Sequence, residues 1–138
     1  VHAAVVLLPL AAVFTVVCSL VPRSRRAYAP LALAFAVLAL VFTYVAKESG
    51  ESLEHDVHRT ALVRAHAEQG DTVLPWAFGV AAAAGGATWL SRRTASRAVT
   101  TTVAVVAVVA GLGATYSIVR VGHSGAKAVW SETEKDER

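Results

Sequence analysis

Charge is missing from long stretches of this chain. Residues 3–22, 27–46, 72–91 and 98–119 contain no Asp, Glu, Lys or Arg. Each run is close to the ~20 residues that a helix needs to cross roughly 30 Å of hydrocarbon. A soluble helical bundle would show polar faces on its helices, and these runs show none. Cysteine is nearly absent too. Cys18 is the only one, which excludes an internal disulfide and leaves a small, inert thiol as the expectation. The opening residues have neither a basic n-region nor a cleavage motif, so the first run is expected to be a membrane helix rather than a signal peptide. Also missing are an HExxH pair, a cysteine cluster, and a serine in an elbow beside a paired His and Asp. The short "GLGA" falls inside an apolar run and has no preceding strand, so it is not a phosphate loop. Ion pathways place ionisable groups inside the membrane, and the charge-free spans disfavour transport.

What remains is 138 residues, 55% hydrophobic, with a net charge of +3. The expected fold is all-α: an integral membrane four-helix bundle over residues 1–130, followed by a charged, flexible tail at 131–138. The helices are expected at about 2–21, 29–46, 72–90 and 98–120. Segment 51–66 reads as an amphipathic surface helix, with Leu53, Val57, Ala61, Leu62 and Ala65 at helical spacing. Pro30 suits the first turn of the second helix, and Asp71 suits the N-cap of the third. Gly79/Ala83, Ala82/Gly86 and Ala110/Ala114 are small residues four apart, the pattern that lets helices approach closely in lipid.

The positive charge is not a nucleic-acid signal, because it splits by side. Arg23, Arg25 and Arg26 link the first two runs, and Arg92, Arg93 and Arg97 link the last two, with no acid in either link. The positive-inside rule puts both arginine loops, 22–27 and 91–97, in the cytoplasm of a plasma-membrane protein. Both termini and segment 47–71 are then outside. Tyr28, Tyr44, Trp76, Trp89, Tyr116 and Trp130 fall near the proposed helix ends, as interfacial aromatics do.

All five histidines fall on the outer side under this topology. His2, His66 and His123 come from three elements that converge at one end of the bundle. Neutral imidazole ligates transition metals and haem iron. His2 with His66 could hold a haem b, with His123 as a substitute and Trp76 and Tyr116 lining the site. A divalent metal could instead use His2, His66 and His123 with Glu51 or Asp71. Glu54 and His58 are four apart and pair on one face of the surface helix, and His55 shares a face with His66. No catalytic activity of the chain's own is expected. The expected partners are the lipid bilayer and other membrane subunits.

Three stretches carry a resemblance. They are "VHAAVVLLPLA" at 1–11, "ESGESLE" at 48–54 with "RAHAEQGDTVLPW" at 64–76, and "YSIVRVGHSGAKAVW" at 116–130. Together they resemble the bacterial membrane family catalogued as domain of unknown function 2231. The resemblance implies a four-helix membrane domain. It places His2, His66, Gly70, Asp71, Gly122 and Gly125 at family motif positions. Relatives often carry an acidic residue where this chain has His123, which favours His2 with His66 as a pair. Some relatives look fused to Rieske-type iron–sulfur domains, which implies membrane electron transfer. Two functions stand beside each other on this reading. One is a small subunit or accessory protein of a membrane electron-transfer assembly. The other is a cofactor-free protein that docks membrane subunits, or one that binds metal on its outer face.

Overall fold

A computed structural model of the chain describes the backbone of residues 2–54 and 68–136, and the side chains of 3–50 and 68–123. Four long helices account for nearly all of it: α1 (His2–Leu20), α2 (Pro22–Glu54), α3 (Val73–Arg92) and α4 (Arg97–Asp136). Each contains a stretch long and apolar enough to cross a membrane. The all-α, four-span architecture is the expected one.

The helices run up, down, up and down, and each packs on its neighbours around the ring, α4 closing onto α1. α1 and α3 also touch across the middle, whereas α2 and α4 do not meet among the described residues. One end of the bundle holds the α1–α2 and α3–α4 connections and is called the arginine end below. The opposite end holds His2 and the C-terminal parts of α2 and α4, and is called the histidine end.

The interior is made of small residues. Among the described residues, fourteen of the nineteen buried apolar ones are alanine, including Ala11, Ala36, Ala84 and Ala114. The large aliphatic and aromatic side chains point outward instead, with Val6, Val13, Phe78 and Leu112 all more than half exposed. That pattern inverts a water-soluble core. Lipid tails solvate leucine as well as another leucine does, so large apolar residues gain nothing by turning inward. Close backbone contact between small residues is what holds such helices together.

Glycine contacts fix the register of α3 on α4. A Cβ on Gly79 would lie 2.9 Å from that of Ala110, and one on Gly86 would lie 3.1 Å from Val103 Cγ2. A Cβ on Gly113 would fall inside the Trp76 indole. All three pairs follow one antiparallel register, so the two helices stay in step over this stretch. Gly79 and Gly86 are seven residues apart, as are Val103 and Ala110, which is the heptad step of a left-handed crossing. The seam is therefore Gly79, Ala83 and Gly86. The Ala82/Gly86 pairing is not a face, because Ala82 is exposed.

Several helix limits differ from expectation. The arginine stretch 22–27 is not a turn but the start of α2. Pro22 opens the helix, where its missing N–H costs nothing, and Arg and Ala propagate it well. Pro30 consequently lies in the helix interior rather than its first turn. At the other end α2 runs on through Lys47 to Glu54, so residues 51–54 of the expected surface helix belong to α2. The rest of that segment lies outside the described residues. α4 continues past 120 to Asp136, through most of the stretch expected as a flexible tail. At 1.5 Å per residue, α2 is about 50 Å long and α4 about 60 Å, so both outreach a ~30 Å hydrocarbon core at the histidine end.

Threonines reinforce the packing. Thr43, Thr102 and Thr115 donate to the carbonyl four residues back. Thr88 does so too and also donates across to Ala29 of α2 at 2.9 Å, one residue before Pro30. Ser96 caps α4 by accepting from the Val99 N–H.

Glycine substitutions separate contact from propensity. Gly113→Val collides with Trp76 and is expected to lower stability by about 1–3 kcal/mol and shift the tryptophan emission. Gly85 has nothing within 4 Å of where a Cβ would sit, so Gly85→Ala is expected to be neutral or to stabilise by up to about 1 kcal/mol. Thermal unfolding in detergent micelles checks both.

Candidate functional site at the bundle ends

Among the described residues, no ionisable side chain reaches the middle of the bundle. The buried polar residues are Thr15, Ser19, Arg25, Thr43 and Ser117. Thr15 Oγ1 and Ser19 Oγ, one turn apart on α1, have no protein hydrogen-bond partner. Among the described residues the interior offers no imidazole, and the Gly79–Ala110 and Gly86–Val103 contacts leave no macrocycle-wide gap between α3 and α4. Chemistry beyond packing is therefore confined to the two ends.

At the histidine end, the register of α1 on α4 is the useful geometry. A Cβ on Gly111 would meet Val16 Cγ2 at 3.4 Å and Ala12 Cβ at 3.6 Å. Gly111 is thus level with the midpoint of Ala12 and Val16. From that level both helices run twelve residues outward, about 18 Å at helical rise, to His2 on α1 and His123 on α4. The two histidine backbones arrive at the same height on packed neighbours. His123 is exposed there.

The other expected ligands are placed less completely. His66, His55 and His58 lie outside the described residues, as do the side chains of His2 and Glu51. Asp71 is described and is engaged elsewhere: its carboxylate lies 3.4 Å from Lys47 Nζ of α2. It is not the N-cap of α3. A helical turn covers 68–71, and Thr72 takes the cap position without a side-chain cap bond. Thr72 instead bonds back, with both its N–H and its hydroxyl donating to the Gln69 carbonyl. Among the described residues no three of His, Cys, Asp or Glu come together as a metal would need. Trp76, in the first turn of α3, is half-buried against the core over Gly113. Tyr116 is exposed, with the Arg120 guanidinium 5.8 Å from its ring centroid.

The family described as predicted membrane protein (DUF2231) matches residues 1–135. The chain belongs to this family. Its members are described as predicted membrane proteins, and the four long apolar helices that the match spans make this one multi-pass. No curated protein and no solved structure matches the chain. The family description assigns no activity, so function has to be read from the two ends.

The arginine end holds a feature that the sequence reading did not separate from the charge count. Arg25 is buried, unlike its neighbours Arg23 and Arg26. Its Nε donates to the Cys18 carbonyl at 3.2 Å, and a terminal guanidinium nitrogen donates to the Ser19 carbonyl at 2.7 Å. Those carbonyls end α1 and have no helical partner of their own. A cation at a helix C-terminus also opposes the helix dipole. Arg25 thus staples the α1–α2 turn, in which Val21 alone separates the two helices. Cys18 sits beneath it, buried, with Sγ 3.8 Å from the Ser24 carbonyl. Arg25→Ala is expected to destabilise the protein by about 1.5–3 kcal/mol, the range for hydrogen bonds from a charged donor. Arg25→Lys should recover part of it. Unfolding midpoints in determined micelle conditions, compared with Arg23→Ala, check this, because exposed Arg23 should cost far less.

Proposed function

We propose that this chain is a small integral subunit or accessory protein of a membrane electron-transfer assembly, holding haem b at its histidine end. The observation that carries the reading is the common height of His2 and His123 on two packed antiparallel helices. A bound haem would supply one-electron redox chemistry. The chain's part would be axial ligation by His2 with His66 or His123, and a rigid, apolar scaffold that fixes their separation. Axial ligand identity and burial are the levers by which a protein sets such a potential. The charge-free spans and the lack of an interior acid or base agree with a subunit that positions a group rather than one that moves ions. By the positive-inside rule we place the arginine end in the cytoplasm of the plasma membrane and the histidine end outside.

A second reading is favoured by a different observation. α2 and α4 outreach the bilayer at the histidine end on opposite corners of the bundle. On that reading the projecting ends dock other membrane subunits, and the histidines are surface groups at the docking face rather than ligands.

The reduced-minus-oxidised visible spectrum of protein purified in mild detergent, from cells with an ample haem supply, separates the two. A sharp b-type α band at near-stoichiometric haem is the expected result. His2→Ala should abolish it, and whichever of His66→Ala and His123→Ala also abolishes it names the second ligand. A flat spectrum sinks the haem reading and leaves the docking one.

A further inference from the structure

The exposed arginines are not used up by the staple. Arg23 and Arg26 are three apart on α2, so they share a face, and Arg25 between them is turned inward onto α1. Pro22, Arg23, Arg26 and Ala27 line an open recess of about 670 Å³. That is within the ~300–1,000 Å³ typical of small-ligand pockets. Arg92, Arg93 and Arg97 are exposed at the same end of the bundle. No carboxylate neutralises them, since the chain has no Asp or Glu in residues 1–47 or 72–131. The described acidic residues near the helices sit at the other end.

The recess also has an apolar neighbour. Ala27 of the recess shares one face of α2 with Leu31 and Leu38, and both leucines are about half exposed. Tyr28 is exposed in the second turn of α2. Guanidinium groups at the mouth, with a strip of aliphatic side chains below, match one molecule with a phosphate at one end and an acyl chain at the other. Arginine binds phosphate oxygens through paired N–H donors. Basic pockets at the ends of membrane helices take anionic headgroups for this reason.

We propose that the Pro22–Ala27 recess is a binding site for an anionic phospholipid, with the headgroup phosphate between Arg23 and Arg26 and an acyl chain along the exposed face of α2 that continues from Ala27 through Leu31 to Leu38. The lipid stays with the protein when bulk lipid is exchanged for detergent. Its binding ties the α1–α2 hairpin to the headgroup layer.

The test counts bound lipid by native mass spectrometry on the full chain in neutral detergent. Dioleoylphosphatidylglycerol, dioleoylphosphatidylcholine and inorganic phosphate are added in separate arms at equal concentration. The wild-type chain is expected to retain phosphatidylglycerol over phosphatidylcholine, and inorganic phosphate is expected not to bind measurably. Arg23→Gln/Arg26→Gln should weaken phosphatidylglycerol retention by roughly 5- to 30-fold, given about 1 kcal/mol per basic residue near the surface. Arg26→Gln alone should give part of that loss. Arg120→Gln, a charge removed from the other end, should leave retention unchanged. Helix content by circular dichroism accompanies each variant, and the single variant decides if the double one is misfolded. Equal retention of both lipids, an Arg23/Arg26 variant that binds as wild type, or a loss with Arg120→Gln as large as with Arg26→Gln would each overturn the proposal. So would inorganic phosphate binding as well as the lipid, which would make the site one for a free anion.

Discussion

A bilayer solvates leucine and valine on the outside of a protein as readily as the protein can on the inside. That constraint shapes everything else here. With no hydrophobic drive to press the helices together, contact must come from how closely backbones approach. Alanine therefore fills the interior, and the bulky residues face outward. Glycine appears at the tightest points, Gly79 against Ala110 and Gly113 beneath Trp76. Because these contacts are short, they tolerate little sliding, and α3 and α4 are held in one register along the seam.

A tightly packed interior has a functional consequence. It leaves room for neither an ion path nor a large cofactor along the described α3–α4 seam. Polar chemistry is displaced to the ends, and the two ends differ. At the arginine end Arg25 closes the α1–α2 turn while Arg23 and Arg26 remain free on the opposite face. At the histidine end α2 and α4 continue outward as helices, and His2 and His123 arrive at one height. The Lys47–Asp71 pair ties α2 to the start of α3 there, though both partners are partly solvated and such pairs contribute little energy.

Much of this was legible in the sequence. Four charge-free runs gave the number of spans, and the arginine links gave the alternation of the ends. The motifs around His2, Asp71 and His123 pointed to the family that the chain proves to match. Helix limits were less legible, for a physical reason. A run without charge reports where lipid is, whereas a helix ends where its hydrogen bonding ends. Arg23 to Ala27 and Lys47 to Glu54 are polar and still helical. The inward face was hidden for a related reason: uniformly apolar helices carry no amphipathic period, so only the small residues mark the contact side, and a pairing such as Ala82/Gly86 looks as good as Gly79/Ala83. The packing of Trp76 was not legible because the space above Gly113 belongs to another helix. Asp71 was read as a cap because its ion pair with Lys47 spans two distant segments. The common height of His2 and His123 was not visible, since the sequence brings elements to one end but gives no heights.

Paired-cysteine cross-linking in native membranes tests the small-residue seam most directly. In a Cys18→Ala background, Gly79→Cys with Ala110→Cys should form a disulfide rapidly under mild oxidation, because the two Cβ positions lie in contact. Gly79→Cys with Leu112→Cys should not, because Leu112 faces outward at 68% exposure. Cross-linking of the second pair in preference to the first would mean that α3 and α4 meet through their bulky faces, and the inverted bundle would be wrong.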